Sequence, residues 1–202
     1  MITRVFPGLL LAVSCAAPQA GSMKQRLTKL ELQAPATTAR VIFVRLPNPL
    51  GSTVTPFLIE RGTMRVLGES LNGSAFSVDL APGSYALCAA MPVYWRTGWL
   101  YPWEFDFSRL LHTPLTRLEV IAGRTYLLEV RVNGAVVEAV PARYGSLRAR
   151  RLEAALPELS ALEPIAGAPQ LQAEPQDLVS WFEQCVDSTS PDRWKAGPDD
   201  GR

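Results

Sequence analysis

Between Ala39 and Pro141 the apolar positions fall in short runs of strand length, broken by glycine, proline or Asn-Gly. In Ser74 to Leu80, Phe76, Val78 and Leu80 alternate with Ser77 and Asp79, the period of two that buries one face of a strand. Ala39 to Leu46, rich in β-branched and aromatic residues, predicts a strand that ends at the turn Pro47-Asn48-Pro49-Leu50-Gly51. Thr55 to Glu60 and Met64 to Leu67 follow as partners across Arg61-Gly62. After Pro82-Gly83, Tyr85, Leu87 and Ala89 share one strand face and Cys88 lies on the other. Leu115 to Ile121, Arg124 to Val132 and Ala135 to Pro141 complete the series, with Gly123 and Asn133-Gly134 as turns, the second a strong hairpin signal. Even spacing and frequent turns predict a mainly β fold, an antiparallel sandwich of seven or eight strands that fills 36–163 together with a following helix.

Beyond Gly145 the period changes. Leu147, Leu152, Ala155, Leu156, Leu159 and Leu162, interleaved with Arg148, Arg150, Arg151 and Glu153, predict a C-terminal helical extension, with Pro157 as a kink or a start. Residues 164–175 read as a linker rich in Ala, Pro, Gly and Gln. Leu178, Trp181, Phe182, Cys185 and Val186 then recur at spacings of three and four, which predicts a short amphipathic helix docked on the sandwich or on a partner. Ser188 to Arg202 is expected to be a disordered tail in which only Trp194 is apolar enough to dock.

At the other end, Arg4 precedes the apolar run Val5 to Val13, about nine residues where a helix crossing roughly 30 Å of hydrocarbon needs about 20. A charged start and a short apolar core are a secretory signal. Ala12-Val13-Ser14-Cys15 resembles the bacterial lipoprotein cleavage signature, a small residue just before a cysteine, with Ala12 where leucine is more usual. This resemblance implies a signal peptide over 1–14 and Cys15 as the lipidated first residue of the mature protein. Acyl chains each contribute about 0.8 kcal/mol per buried methylene, so more than one chain anchors durably. Ala16 rather than Asp after the cysteine favours the outer membrane. An ordinary signal peptide cleaved within Ser14-Cys15-Ala16-Ala17 is the alternative. Residues 15–35, with Pro18, Gly21 and the basic Lys24, Arg26 and Lys29, read as a flexible tether.

With 20 basic and 19 acidic residues the chain lacks the positive excess that nucleic-acid binding needs. Of its three cysteines, Cys88 and Cys185 remain after lipidation of Cys15. In an oxidising compartment they can form a disulfide, or each can stay a buried thiol.

The stretch GSAFSVDLAPGSYALCAA at 73–90, preceded by ARVIFVRLPNPLGS at 39–52 and followed by AGRTYLLEVRV at 122–132, resembles an uncharacterised bacterial lipoprotein family whose domain is of unknown function. That family looks like the small transthyretin-like or PEGA-like sandwiches, in which a strand ending in Pro-Gly is followed by a strand bearing tyrosine. The resemblance covers 39–141 and implies fold and export, with no catalytic residues and no cofactor. This chain departs from the simplest pattern in the aromatic insertion at 92–107 and in the tail after 164.

Seven of the 17 aromatic residues lie in that insertion: Tyr94, Trp95, Trp99, Tyr101, Trp103, Phe105 and Phe107. Rings with polar tips stack on sugar faces or anchor a protein interface, and Arg96 adds a charged contact; alternatively the loop folds back and its rings cap the core. Tyr94, Trp95, Arg96, Trp99, Tyr101 and Trp103 are the candidate binding residues. Glu104 and Asp106, extended, would project to one side with α-carbons roughly 7 Å apart. Glycoside hydrolysis requires carboxylates across a cleft, which two acids on one strand rarely provide. His112 is the single histidine, so no His cluster for a metal and no Ser-His-Asp array exists. No phosphate-cradling glycine motif or Cys-x-x-Cys occurs. The expected function is therefore a lipid-anchored, non-catalytic binding or structural module of the cell envelope. It would meet the membrane through its N-terminal lipid and an envelope protein or polysaccharide through the loop. An accessory subunit of an envelope assembly and, from a different class, a polysaccharide-acting enzyme are the alternatives.

Overall fold

In the strand β1 (Ala39–Arg45) every residue is buried, whereas in β7 (Thr116–Val120) burial alternates strictly. The difference reports what lies on each face, and it defines the layers of the fold. The computed structural model describes residues 29–49, 52, 55–63, 65–90, 113–133, 136–164, 185–186 and 193–202. They form a mainly β structure of two five-stranded mixed sheets and one short helix.

The first sheet has the order β10 (Ser160–Leu162), β4 (Ser74–Leu80), β1, β8 (Thr125–Asn133), β9 (Val136–Ala142). The second runs β12 (Lys195–Ala196), β7, β5 (Gly83–Ala90), β2 (Phe57–Glu60), β3 (Arg65–Glu69). A separate pair joins β6 (Thr113–Pro114) to β11 (Cys185–Val186). The expectation of a purely antiparallel arrangement is corrected here. β1 pairs antiparallel with β4 but parallel with β8, and β10, β11 and β12 each add in parallel to β4, β6 and β7. Alternation of apolar residues marks a strand without stating its partner. Here the chain leaves the first sheet after β4, builds β5 and β7 in the second, and returns as β8 on the far side of β1. The twelve strands among the described residues exceed seven or eight because β6 and β10 to β12 are only two or three residues long, too short for a periodic signal.

The facing sides of the sheets share one apolar cluster. Val41, Phe43, Phe76, Leu128 and Val130 come from the first sheet and Leu58, Leu67, Leu87 and Leu118 from the second. Phe43 and Phe76 stack with ring centroids 4.9 Å apart. A second cluster lies on the outer side of the first sheet, where Ile42, Val44, Ala75 and Leu127 meet Ala149, Leu152 and Leu156. Covered on both sides, β1 carries the uninterrupted apolar run Val41 to Val44. At Gly68 the two sheets approach closely: a Cβ there would lie 2.6 Å from Cε2 of Phe76. Gly68→Ala should therefore cost about 1–3 kcal/mol through overpacking. The cost should shrink when Phe76 is also Leu, a coupling that urea unfolding of the two singles and the double would reveal.

Helix α1 (Leu147–Ala155) starts where the Ser146 hydroxyl accepts from the Ala149 N–H at 3.2 Å. It ends because Pro157, lacking an N–H, sits in the short 3-10 turn Leu156–Glu158 that follows. The apolar stripe expected to continue as helix instead turns into β10, which delivers Leu162 to the central core, while Leu159 packs on the outer cluster. At the β7–β8 turn Gly123 has φ +77°, and its N–H bonds the Thr38 carbonyl at 2.9 Å.

Both termini of the predicted domain move outward. The last residues of the expected tether are docked. Leu30 packs on the outer cluster, Glu31 pairs with Arg40 at 3.0 Å, and the Thr125 hydroxyl donates to the Leu32 carbonyl at 2.8 Å. The end of the expected disordered tail is also ordered. Lys195 and Ala196 pair with Arg117 and Leu118, and Arg202 exchanges both backbone bonds with Thr125. Of the predicted C-terminal helix, Cys185 and Val186 are strand, and Leu178, Trp181 and Phe182 lie outside the described residues.

Candidate functional site

The inner face of β5 carries Leu87 and Ala89 into the core, which turns Cys88 to the opposite side. There it is fully buried and joined to Cys185 in a disulfide, with α-carbons 5.8 Å apart. Cys185 is also the register partner of Thr113 in the β11–β6 pair. Because a disulfide sulfur carries no proton, the Thr113 hydroxyl donates to Cys88 Sγ, at 3.0 Å. Three distant pieces of chain thus meet at one point: the end of β5, the start of β6, and β11. The chain leaves β5 for residues 91–112 and re-enters at β6, so the two ends of the aromatic insertion meet here as a stem through the Thr113–Cys88 hydrogen bond, with the disulfide holding β11 alongside Thr113. Tyr94, Trp95, Arg96, Trp99, Tyr101 and Trp103, with Glu104, Asp106 and His112, lie outside the described residues, as does Cys15. The sequence left the pairing of Cys88 and Cys185 open; the structure places β11 beside β6 and closes it.

A second arrangement escaped the sequence. Glu138, on β9, is 3% exposed, and its carboxylate accepts from Arg193 at 2.6 Å and from Trp194 Nε1 at 3.1 Å. The Arg193 guanidinium also lies 5.3 Å from the Trp194 ring centroid. A buried carboxylate needs such donors, and charge-assisted bonds are the strong ones. They fix the approach of the last segment to β7, where Arg117 N–H bonds the Trp194 carbonyl at 2.8 Å. Trp194 was the one apolar signal in the tail. Its partner was unreadable, because Glu138 sits 56 positions earlier in the chain.

Where β1 ends and β8 runs on, a groove of about 250 Å³ opens between Leu46 to Asn48, Glu129, Arg131 and Arg151. Arg45 lies in its floor, donating to the Ser70 carbonyl at 2.6 Å. Glu129 holds Arg131 and, at 3.6 Å, Arg148. Burial pulls the Arg45 guanidinium below its ordinary pKa, and burial followed by the charge of Arg131 does the same to Arg148. The groove is lined by three arginines against the single acid Glu129, which Arg131 engages. Two larger hollows, about 490 Å³ beside Lys29 to Pro35 and about 410 Å³ beside Tyr85, Glu119 and Lys195, are broad and open. Among the described residues no three of His, Cys, Asp and Glu gather as metal ligands, and no helix is long and apolar enough to cross a membrane.

Compared with protein-family models, curated proteins and solved structures, the chain finds no match. Its function is therefore argued from its own residues.

Proposed function

We propose that the protein is a lipid-anchored binding module of the bacterial cell envelope, held at the outer membrane through Cys15, and that it recognises its target without catalysis. On this reading the two sheets are a β-sandwich of the transthyretin-like or PEGA-like kind, as the apolar cluster shared by their facing sides supports. The contact surface is the 92–107 segment. The observation that carries the proposal is the stem. Thr113 bonds Cys88 on β5, and the disulfide holds β11 beside Thr113, so both ends of that segment meet at one place. Restricting the ends of a loop before it binds reduces the ordering cost of association. Seven aromatic rings on such a mount suit the faces of sugar rings, and Arg96 suits their hydroxyl or acidic substituents.

The test is retention of the Cys15→Ser chain on insoluble cell-wall polysaccharide, beside the same chain carrying Trp95→Ala, Trp99→Ala and Trp103→Ala. The parent should be retained, and the triple variant, with unchanged circular dichroism and melting, should elute at least tenfold earlier in concentration terms, about 1.4 kcal/mol. Equal retention of the two would remove the rings from the binding surface. Absence of retention for both would overturn polysaccharide as the target and leave an envelope protein as the partner.

A further inference from the structure

The run Arg143 to Leu152 contains four arginines and no acid, and it places them beside two exposed apolar side chains. Tyr144 is 61% and Leu147 82% exposed, the two most exposed large apolar residues among those described. Helix α1 buries Ala149 and Leu152, which leaves Leu147, Arg150 and Arg151 as outward neighbours at spacings of three and four. Arg143 and Tyr144 continue the same surface from the preceding turn. Acids of the two terminal segments and of α1 are paired with arginine, one of them with Arg143 itself. Asp200 faces Arg143 at 3.6 Å, Asp199 faces Arg124 at 3.6 Å, Glu31 faces Arg40 at 3.0 Å and Glu153 faces Arg202 at 2.9 Å. Among the described residues the Arg150 guanidinium donates to the neutral Gly145 carbonyl and meets no carboxylate. An apolar tip ringed by guanidinium groups is the composition of a surface that rests in the headgroup layer of an anionic membrane, with tyrosine at the interface.

The same corner receives the N-terminal chain. Leu30 packs in the cluster that α1 covers. Leu32 is bonded to Thr125, Thr125 to Arg202, and Tyr144 N–H to the Asp200 carbonyl at 3.0 Å. Cys15 precedes Lys29 by fourteen residues, a reach of at most about 50 Å even when fully extended. A lipid on Cys15 would therefore hold the bilayer within that reach of the corner.

We infer that Arg143, Tyr144, Leu147, Arg150 and Arg151 form a membrane-docking face for anionic phospholipid headgroups, which orients the anchored domain. The inference rests on lipidation of Cys15 for its biological setting, but the face can be tested without it. The full chain with Cys15→Ser has no thiol to acylate at that position. Floated with vesicles of equal parts phosphatidylcholine and phosphatidylglycerol, it should partition measurably, lose partitioning as salt rises, and bind pure phosphatidylcholine far less. Arg143→Gln, Arg150→Gln and Arg151→Gln together should lower partitioning about a hundredfold, at about fivefold for each arginine. Tyr144→Ser with Leu147→Ser should weaken binding while leaving its salt dependence intact. Residues 1–14 are common to parent and variants, so any contribution from them cancels. Equal binding to both vesicle types, no binding to either, or an arginine variant that matches the parent would overturn the docking face. Mass spectrometry of the unsubstituted protein recovered from a bacterial host tests the anchor separately. An unmodified Cys15 would overturn lipidation alone, whereas acylated Cys15 with no vesicle binding by the Cys15→Ser chain would overturn the docking face alone.

Discussion

Phe76→Ala should cost about 3–5 kcal/mol of folding stability, the range for removing a fully buried aromatic side chain. A domain of this size is stabilised by about 5–15 kcal/mol in total, so the variant is expected to be marginal at best. Phe76 sits on β4, between β10 and β1 in the first sheet, opposite Phe43 in the β1–β4 register and beside Leu162 in β10. Its ring stacks on Phe43 and reaches across to the backbone of Gly68 in the second sheet. Removal therefore opens a cavity where both sheets meet. The stacked geometry with Phe43 adds about 0.5–1.5 kcal/mol beyond area alone. Phe76→Leu, which keeps most of the volume, should cost markedly less. The check is guanidinium unfolding followed by tryptophan fluorescence. A Phe76→Ala chain within about 1 kcal/mol of the parent would mean that the sheets do not pack on each other at this point.

Changing Cys88 and Cys185 together to alanine should lower stability by about 2–5 kcal/mol, because the bond joins positions 97 apart and so restricts the unfolded chain strongly. The local effect should exceed the global one. β11 pairs with β6 through only two residues, too few to persist without the covalent tie. Freed from it, β11 should leave Thr113, and the stem of the 92–107 segment should open. Hydrogen exchange should therefore rise sharply at Thr113 and at 185–186, and much less in β1, β4 and β8. Ligand retention through the loop should weaken by the added ordering cost even under conditions in which the sheets remain folded. Unchanged exchange at Thr113 in the double variant would show that the stem stands without the disulfide, and would remove the main support for a loop held ready to bind.

The functional candidates were unequally legible. Two cysteines and a dense group of rings stand out in any reading of the chain, because their residue types are rare. That Cys88 turns away from Leu87 and Ala89 followed from the strand period. The arginine-rich corner was visible only as the polar side of a predicted helix. Its character comes from Asp199, Glu31 and Glu153 each being taken up by an arginine outside it, and those pairings link positions from 31 to 202. Glu138 was indistinguishable from any other strand acid. Only the arrival of Arg193 and Trp194 makes it the clamp of the last segment.

What the sequence determined by itself is local. Alternation in Ser74 to Leu80, β-branched runs such as Val41 to Val44, and turns at Pro82-Gly83, Gly123 and Asn133-Gly134 place strands within one or two residues, because each rests on a backbone preference of neighbouring residues. Tertiary structure decided what those preferences cannot express. It set β1 and β8 in parallel, since strand direction depends on which sheet the chain crosses to between them. It ended α1 at the proline and gave the next three residues to a sheet edge, where pairing with β4 satisfies backbone groups that a continued helix would have left to a missing N–H. It also drew residues 29–35 and 193–202 onto the domain. These segments are too polar to order alone, and they fold only because Thr125, Arg40, Glu138 and the edge of β7 offer ready-made partners for their backbone and charges.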